Sequence, residues 1–351
     1  MSPTQPVKPP VSGPKTWHGL KHCSARSNGH DPHEDLPMQA KHEKYNLLIA
    51  RCQALAPVPT AIAHPCDESS LKGAVEAAEL GLLKPILVGP RARILALAKE
   101  FQLDISDHEL VDAPHSHASA AAAVLLAREG QAEMLMKGSL HTDELMGAVV
   151  ATATGLRTER RISHVFVMDV PGLDRPILIT DAAINIFPTL EDKRDIVQNA
   201  IDLALALGVK EPKVAILSAV ETVTPKIPST VEAAALCKMA DRHQITGGIL
   251  DGPLALDNAI DLAAAQIKQI DSPVAGLADI LVVPDLEAGN MLAKSLTFMA
   301  GAEAAGIVLG ARVPIILTSR ADSVPTRLAS CAVAALVVHA RREHANQAVM
   351  G

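Results

Sequence analysis

Residues 60–88 read TAIAHPCDESSLKGAVEAAELGLLKPILV, and this stretch contains the unit that decides the fold. The apolar runs 60–63 and 85–88 predict buried strands, and residues 71–80 between them carry apolar side chains at the spacing of a helix. A strand, a helix and a second strand in this order predict a parallel pair joined by a right-handed crossover.

The same alternation extends over most of the chain. More short apolar runs follow, and most are separated by stretches of helical period such as 196–207 and 231–239. These runs are residues 133–136, 164–168, 177–179, 214–217, 248–250, 280–283, 307–309 and 314–317. The pattern predicts an α/β fold with a mainly parallel sheet, helices on both faces and ligands at the carboxyl ends of the strands.

Composition excludes several classes of protein. Of the 351 residues, 48% are hydrophobic but only 2% are aromatic, and the formal net charge is -7. Because the chain has no basic stripe and few aromatic side chains to stack on bases, nucleic acid is not an expected partner. No apolar run approaches the roughly 20 residues that span a bilayer, and the cysteines are scattered, so we expect a soluble protein of the reducing cytoplasm without a membrane partner.

The first 42 residues differ from the rest of the chain. They are rich in Pro, Ser, Gly and His and show no hydrophobic period, which predicts a disordered tail because too little surface can be buried. The tail histidines lack the paired spacing of metal ligands, which favours a solvated segment over a metal site. These are His18, His22, His30 and His33.

Several signatures of common chemistry are missing. No G-x-G-x-x-G follows a predicted strand, which weakens a dinucleotide site, and HExxH, CxxC and G-x-S-x-G do not occur. The sequence therefore lacks the motifs that would indicate a zinc hydrolase or an α/β-hydrolase.

A polar segment follows the last predicted strand. The chain there reads Thr318-Ser-Arg-Ala-Asp-Ser323, and a helix is predicted to follow. Backbone N–H groups at a helix start and the planar guanidinium of Arg320 would suit phosphate oxygens. The alternative is an ordinary helix cap made by Ser323 or Asp322.

Three more polar turns end predicted strands, at residues 137–143, 251–257 and 284–290. The carboxyl ends of parallel strands lie at one edge of a sheet. We therefore expect the four polar turns to converge on one cleft.

Seven separated segments resemble the phosphate acetyltransferase and phosphate butyryltransferase family. They are residues 136–138, 156–158, 162–165, 225–230, 251–257, 285–290 and 317–323. The resemblance covers about residues 45 to 342. It is closer to the butyryltransferase branch, and to the transacylase half of hydratase–transacylase fusions, than to the typical acetyltransferase branch.

The resemblance implies a fold similar to the isocitrate and isopropylmalate dehydrogenases. That fold has two α/β domains with mainly parallel sheets, an active cleft between the domains, and usually a homodimer. By analogy, the first domain would take residues 45–157 and 305–345, and the second would take residues 158–304.

The resemblance also implies a reaction. Acyl-CoA, with an acetyl or a butyryl group, and inorganic phosphate would give acyl phosphate and CoA by direct transfer in a ternary complex, with CoA as a substrate and no further cofactor. Arg320 would hold the phosphoryl group and Ser319 would hydrogen-bond the acyl carbonyl or the thiol. Where the acetyltransferase branch has a general-base aspartate this chain has Thr326, which leaves Asp322 as the candidate base. A family arginine is likewise replaced by Met146.

The matching segments supply further candidate substrate-binding residues. Lys226 would face the CoA phosphates, although a solvated lysine is the ordinary alternative, and Glu287 would suit turn capping as well as ligand contact. The full set is Lys137, Gly138, Ser139, Thr142, Arg157, Lys226, Asp285, Glu287, Asn290 and Ser323.

Two other functions remain open from the residues. One is an NAD-dependent dehydrogenase of the same fold, which would need clustered aspartates for a metal and an arginine trio for its substrate. The other is a non-catalytic protein that only binds CoA or an acyl phosphate. Thiol release with acetyl-CoA and phosphate, compared with NAD reduction, separates these possibilities.

Overall fold

The computed structural model describes residues 43–317 and 322–350, and the predicted tail lies outside this part of the chain. The strands are β1 (Val58–Ala63), β2 (Leu83–Gly89), β3 (Glu109–Asp112), β4 (Met134–Lys137), β5 (Ser163–Asp169), β6 (Ile177–Thr180), β7 (Lys213–Leu217), β8 (Ile249–Leu254), β9 (Ile280–Val282), β10 (Glu303–Leu309) and β11 (Ile315–Ile316). The helices are α1 (Glu43–Gln53), α2 (Glu68–Glu79), α3 (Arg91–Glu100), α4 (Ser116–Arg128), α5 (Thr142–Val150), α6 (Leu190–Ala206), α7 (Pro228–Asp241), α8 (Leu256–Ile260), α9 (Leu262–Ile267), α10 (Leu286–Met299) and α11 (Val324–Met350).

These strands form one sheet in the order β3-β2-β1-β4-β11-β10-β5-β6-β9-β7-β8. The first five in this order are parallel to one another, and so are the last four. The three ladders between these groups, β11–β10, β10–β5 and β5–β6, are antiparallel. The two parallel groups therefore point in opposite directions, and their carboxyl ends lie at opposite edges of the sheet. We call these the β1 edge and the β9 edge.

Two of the three reversals follow from short connections. Residues 170–176 join β5 to β6, and residues 310–314 join β10 to β11. A parallel pair needs a crossover of a dozen or more residues, so these connections can only join antiparallel strands.

One face of the sheet carries a continuous apolar core. It joins Leu71 of α2, Val197 of α6, Leu236 of α7 and Val333 of α11 through side chains of both parallel groups of strands. The helices along this face bury the strands between the two outer strands β3 and β8.

The opposite face carries two separate apolar clusters. The first joins β1, β2 and β4 to α4 and α5, through residues such as Ala120 and Leu145. The second joins β6, β7 and β9 to α8 and α9, with α10 packed against it. Among the central strands, β10 contributes Val308 to the first cluster and β5 contributes Met168 to the second.

The predicted alternation of strands and helices is confirmed. Each predicted apolar run lies in or overlaps a strand, the stretches 71–80, 196–207 and 231–239 coincide with α2, α6 and α7, and most ladders are parallel. The sequence pattern missed β3, whose end residues Glu109 and Asp112 are exposed, so the strand has no apolar run to reveal it. Across the described ranges, no helix combines the length and apolar character required to cross a membrane.

Candidate active site

The predicted polar turns lie at two edges of the sheet. The turn 137–143 follows β4 at the β1 edge, where β11 also ends, whereas the turn 284–290 follows β9 at the β9 edge. Residues 251–257 were predicted as a turn, but they form the last four residues of β8 and the start of α8, also at the β9 edge. The prediction that all four turns share one edge is therefore wrong. Its physical cause is the three antiparallel ladders in the middle of the sheet, which the apolar runs do not reveal.

Residues 137–139 hold the end of β1 in place. Gly138 N donates to Ala63 O at 2.9 Å, and both Ser139 N and Ser139 Oγ donate to His64 O at 2.9 Å. A Cβ on Gly138 would lie 2.4 Å from Ala63 O and 2.5 Å from His64 O, so the close approach of the two backbones requires glycine. Gly138 and Ser139 were predicted to bind substrate. In the structure they fix the backbone of Ala63 and His64 at the end of β1.

Lys137 is buried beside this turn, with 7% of its surface exposed. Its Nζ donates to Gly138 O at 3.2 Å and to Leu140 O at 3.1 Å. A buried ammonium needs such partners, and these bonds fix the shape of the turn after β4. The predicted substrate-binding lysine thus supports the turn from inside.

The start of α5 lies at the β1 edge. Thr142 is its exposed first residue, and Glu144 Oε2 accepts a hydrogen bond from His141 N at 2.8 Å. Ser116 Oγ donates to Glu144 Oε1 at 2.6 Å, and the bonds from Ser116 and His141 hold the pKa of the Glu144 carboxyl below its usual value. Met146, at the position of the family arginine, packs against the apolar cluster of α4 and α5.

The predicted reacting residues precede α11 in the chain. Ser319 and Arg320 lie outside the described residues, and Asp322 is half-buried in the turn that leads into α11. Ser323 Oγ accepts a hydrogen bond from Thr326 N at 3.3 Å, so Ser323 caps the helix. The capping alternative is therefore confirmed for Ser323.

Two of the predicted substrate-binding residues of the turn 284–290 make hydrogen bonds within the protein at the β9 edge. Asp285 caps α10 by accepting a hydrogen bond from Ala288 N at 2.9 Å, and Asn290 Nδ2 donates to Ala182 O at 3.2 Å. Glu287 is exposed in the first turn of α10. A carboxylate at a helix N-terminus is stabilised by the helix dipole without any ligand.

Arg157 and Lys226 are exposed at the β9 edge. Arg157 forms a β-bridge with Ala311 and lines a groove of about 530 Å³ together with Arg161. Lys226 N donates to Thr224 Oγ1 at 3.4 Å in the turn before α7. The structure therefore places these two residues away from the turn 137–143.

His64 directly follows β1 and was not predicted as a site residue. Its backbone has a φ of 58°, which non-glycine residues seldom adopt, and the residue is 9% exposed. Its Nδ1 lies 3.0 Å from Ser119 Oγ of α4. The available signal in the sequence was a polar residue placed between an apolar strand and Pro65.

A second buried histidine, His164, lies on β5 in the middle of the sheet, with 1% of its surface exposed. Its ring packs edge-on against Phe166, with 4.3 Å between the centroids, and Nδ1 has no hydrogen-bond partner within the described ranges. Burial lowers the pKa of His164 to about 4. A Cβ on Gly306 would lie 3.0 Å from His164 Nε2, so the small residue opposite leaves space for the ring.

Residues 43–317 and 322–350 contain no group of three or more His, Cys, Asp or Glu side chains arranged to hold a metal ion.

Comparison with known proteins connects the chain to one group of enzymes. Residues 117–335 match the family model described as phosphate acetyl/butaryl transferase. The chain is 72% identical over 303 residues to a phosphate acetyltransferase of Rhizobium meliloti, covering 86% of this chain and 96% of the relative. It is 41% identical over 295 residues to a phosphate butyryltransferase of Clostridium acetobutylicum, covering 84% and 98%. The crystal structure of a branched-chain phosphotransacylase from Enterococcus faecalis V583 has a TM-score of 0.71 at 33% identity, covering 80% of this chain and 99% of that chain.

Proposed function

The chain belongs to the phosphate acetyltransferase and phosphate butyryltransferase family, and from this membership we propose that it converts acyl-CoA and inorganic phosphate into acyl phosphate and CoA. The observation that carries the proposal is the 72% identity to the R. meliloti phosphate acetyltransferase, which extends over 96% of that relative. The chain is therefore an acyltransferase.

Acetyl-CoA is the proposed acyl donor. The identity to the R. meliloti acetyltransferase is 72%, against 41% for the C. acetobutylicum butyryltransferase, which makes butyryl-CoA the second candidate. One methylene in an apolar pocket changes binding by only about 1–3 kcal/mol, so activity with both donors is expected in different proportion.

The proposed mechanism is direct transfer without an acyl-enzyme. Arg320 holds the phosphoryl group by a planar pair of N–H donors, and Ser319 hydrogen-bonds the acyl carbonyl as negative charge develops on its oxygen. Both residues follow β11, which ends at the same edge as the turn 137–143. In one direction the CoA sulfur attacks the carbonyl carbon of acyl phosphate and phosphate leaves; in the other, phosphate attacks the thioester.

The proposed architecture is that of the isocitrate and isopropylmalate dehydrogenases, with domains at residues 45–157 plus 305–345 and at residues 158–304. The two separate apolar clusters support this division, because the first lies mainly within residues 61–162 and the second within residues 168–302. The proposed cleft would lie over β10 and β5, between α5 on one side and α10 on the other.

The proposed assembly is a homodimer that buries the exposed side of α10. Large apolar side chains are unusually exposed there, with Met291 at 63%, Phe298 at 82% and Met299 at 85%. Ile186 and Phe187, beside the start of α10, are exposed at 62% and 76%. Contiguous exposed apolar side chains of this kind mark interaction surfaces.

The proposed compartment is the cytoplasm. Four cysteines of the described part are free thiols, and burial raises the pKa of the thiol of Cys66 to about 11. Such thiols remain protonated and reduced in a cytoplasmic environment. The four are Cys52, Cys66, Cys237 and Cys331.

A phosphate-dependent thiol-release assay tests the proposed function. Purified enzyme is incubated with phosphate and acetyl-, propionyl- or butyryl-CoA, and both free CoA and acyl phosphate are measured. We expect equal amounts of the two products with acetyl-CoA, and loss of about 10²- to 10³-fold in kcat/KM for phosphate in Arg320→Ala.

Arg312→Ala is the matched control, because Arg312 is an exposed arginine just before β11, at the β9 edge. Its activity should equal that of the parent enzyme. CoA binding without any thiol release would contradict the proposed reaction and select the non-catalytic alternative. Parent activity in Arg320→Ala would contradict only the role given to Arg320.

A further inference from the structure

His64 has a backbone conformation that nothing in its own segment requires. Four non-glycine residues of the described part have positive φ, namely His64, Gln102, His243 and Gln269. The last three each stand one residue beyond a helix C-cap, where a left-handed residue ends a helix. His64 follows a strand instead, so the helix-ending explanation does not apply to it.

The surrounding structure holds His64 in this conformation. Its carbonyl oxygen accepts hydrogen bonds from Cys66 N at 2.8 Å and from the N and Oγ of Ser139 at 2.9 Å each. Its own N–H donates to Val88 O at 2.7 Å. A non-glycine residue at positive φ costs about 1–3 kcal/mol, and such over-determined strain concentrates at functional sites.

The positive φ also aims the imidazole. Side chains alternate between faces along a strand, yet Ala63 packs in the cluster of α4 and α5, and His64 reaches Ser119 of α4 on that same face. The imidazole is therefore placed on the face that carries α4 and α5 rather than on the continuous core of the other face.

The hydrogen bonds assign the tautomer of His64. Ser119 Oγ lies 2.9 Å from His115 O, to which it can donate its single proton, and we therefore assign the hydrogen of the 3.0 Å bond to Nδ1 of His64. Nε2 is then the unprotonated ring nitrogen, and it accepts no hydrogen bond from the residues that the structure describes. A base oriented by a third group through its other nitrogen has the geometry used in general-base catalysis.

The charges around His64 keep it neutral. Burial and the nearby Arg93 guanidinium of α3 lower the pKa of His64, and His115 at the start of α4 acts in the same direction. Glu144 of α5 and Asp67 at the start of α2 oppose the shift without reversing it. Nε2 can therefore accept a proton at neutral pH.

We propose that His64 is the general base of the acyl transfer, an inference that rests on the proposed function. As the CoA sulfur bonds to the carbonyl carbon of acyl phosphate, Nε2 takes the thiol proton. The bond between that carbon and the phosphate oxygen breaks, and the imidazolium returns the proton to the leaving phosphate. The proton that leaves the thiol thus ends on phosphate, and no further reactant is needed.

The position of His64 suits this role. β4 is the one strand between β1 and β11, so the ends of these two strands lie about 10 Å apart at the β1 edge. A thiol held at the carboxyl ends of β1 and β11 would be within reach of the imidazole. His64 also supplies a base in a chain that has Thr326 at the family's aspartate position.

His64→Asn tests the proposal, since asparagine tolerates a positive φ but cannot accept the proton. We expect kcat to fall about 10²- to 10³-fold. The acid limb of the pH–rate profile, which in the parent has its midpoint below the usual histidine value of 6.5, should disappear. His243→Asn is the matched control, because His243 has a φ of 60° at the exposed end of α7, and its rate and pH profile should equal those of the parent.

Chemical rescue separates a catalytic role from a structural one. His64→Gly fits the backbone and removes the ring, and added imidazole should restore activity in proportion to the concentration of its neutral form. Substituted imidazoles of rising pKa should give rising rates. Parent-like kcat and acid limb in His64→Asn, or a lack of rescue in a folded His64→Gly, would overturn the role of His64. An inactive parent enzyme would instead refute the proposed function, and the inference with it.

Discussion

The two buried histidines on the same side of the sheet lie in contrasting regions. His64, at the β1 edge, has its Nδ1 hydrogen-bonded to Ser119 and its backbone fixed by the turn 137–139. His164, in the middle of β5, contacts Phe166 through its ring and has no partner for Nδ1 among the described residues. The difference shows that the neighbours of a buried histidine decide whether its protonation affects the reaction rate or the stability of the fold.

Burial is the first cause of the lowered pKa of both histidines. For His64 a hydrogen-bonded serine also selects the tautomer and leaves a nitrogen available for chemistry. His164 has no such partner in the described part of the chain. We therefore expect its protonation to change only the free energy of unfolding. Variants at the edge should therefore change the rate, and variants in the centre should change stability.

Gly138→Ala should have the largest effect. The added methyl would lie 2.4 Å from Ala63 O and 2.5 Å from His64 O, and since both are backbone atoms the turn or the strand end must move. We expect a loss of about 3 kcal/mol in the free energy of unfolding and a fall of about 10²-fold or more in kcat. Urea denaturation and the thiol-release assay measure the two effects.

Gly147→Ala is the control for this variant. Gly147 lies within α5 and nothing is within 4 Å of the position of its added Cβ. Alanine in an exposed helix should raise stability by about 0.5–1 kcal/mol and leave kcat unchanged. If Gly138→Ala behaved like Gly147→Ala, the turn would not hold His64 as described.

Acidification should destabilise the protein through His164. Its pKa in the folded state is about 4 against 6.5 in the unfolded chain, so between these values the unfolded state binds more protons. Stability is then complete above about pH 6.5 and is lost as the pH falls towards 4, by about 3 kcal/mol from this group.

The measurement is urea denaturation of the parent and of His164→Leu at several pH values. Carboxylates contribute to acid denaturation in both proteins, so the relevant quantity is the difference between the two pH dependences. We expect a shallower dependence in His164→Leu, while His64→Asn should keep the parent dependence more closely because His64 is less buried. Identical curves for parent and His164→Leu would contradict the assignment.

The fold could be predicted where local pattern decides it. Apolar runs and helical periods located most strands and the helices between them, because burial on both faces of a parallel strand requires such runs. The opposed directions of the two strand groups could not be predicted in this way. They depend on the short connections 170–176 and 310–314, whose length matters only once the strands on either side are paired.

The site was predictable only in part, for a related reason. The turn after β4 was singled out from the sequence as a substrate-binding segment, and that role stays a prediction. Its contacts with Ala63 and His64 join residues more than 70 positions apart. Neither period nor composition encodes such a contact. The capping role of Ser323 was one of two local alternatives, and the bond from Thr326 N decides between them.

Ser119→Ala should have the smallest effect on stability and kcat, and it tests the comparison between His64 and His164 most directly. It removes the acceptor for His64 Nδ1–H, and we expect a loss of about 1 kcal/mol in stability and about tenfold in kcat, because the tautomer is no longer selected. Ser330→Ala is the matched control. Ser330 is also a buried helical serine whose Oγ donates to the carbonyl four residues earlier, at 2.9 Å, and it accepts from Gly306 N near His164.

The two serine variants should lose similar stability but differ in rate. Only Ser119→Ala should raise the fraction of His64 protonated on Nε2, which ¹⁵N chemical shifts of the imidazole can detect, and only this variant should lower kcat. Equal kcat values in the two variants would mean that the hydrogen bond from His64 Nδ1 contributes only to stability and not to the rate. The contrast between edge and centre would then rest on the backbone of His64, which the turn 137–139 holds in place.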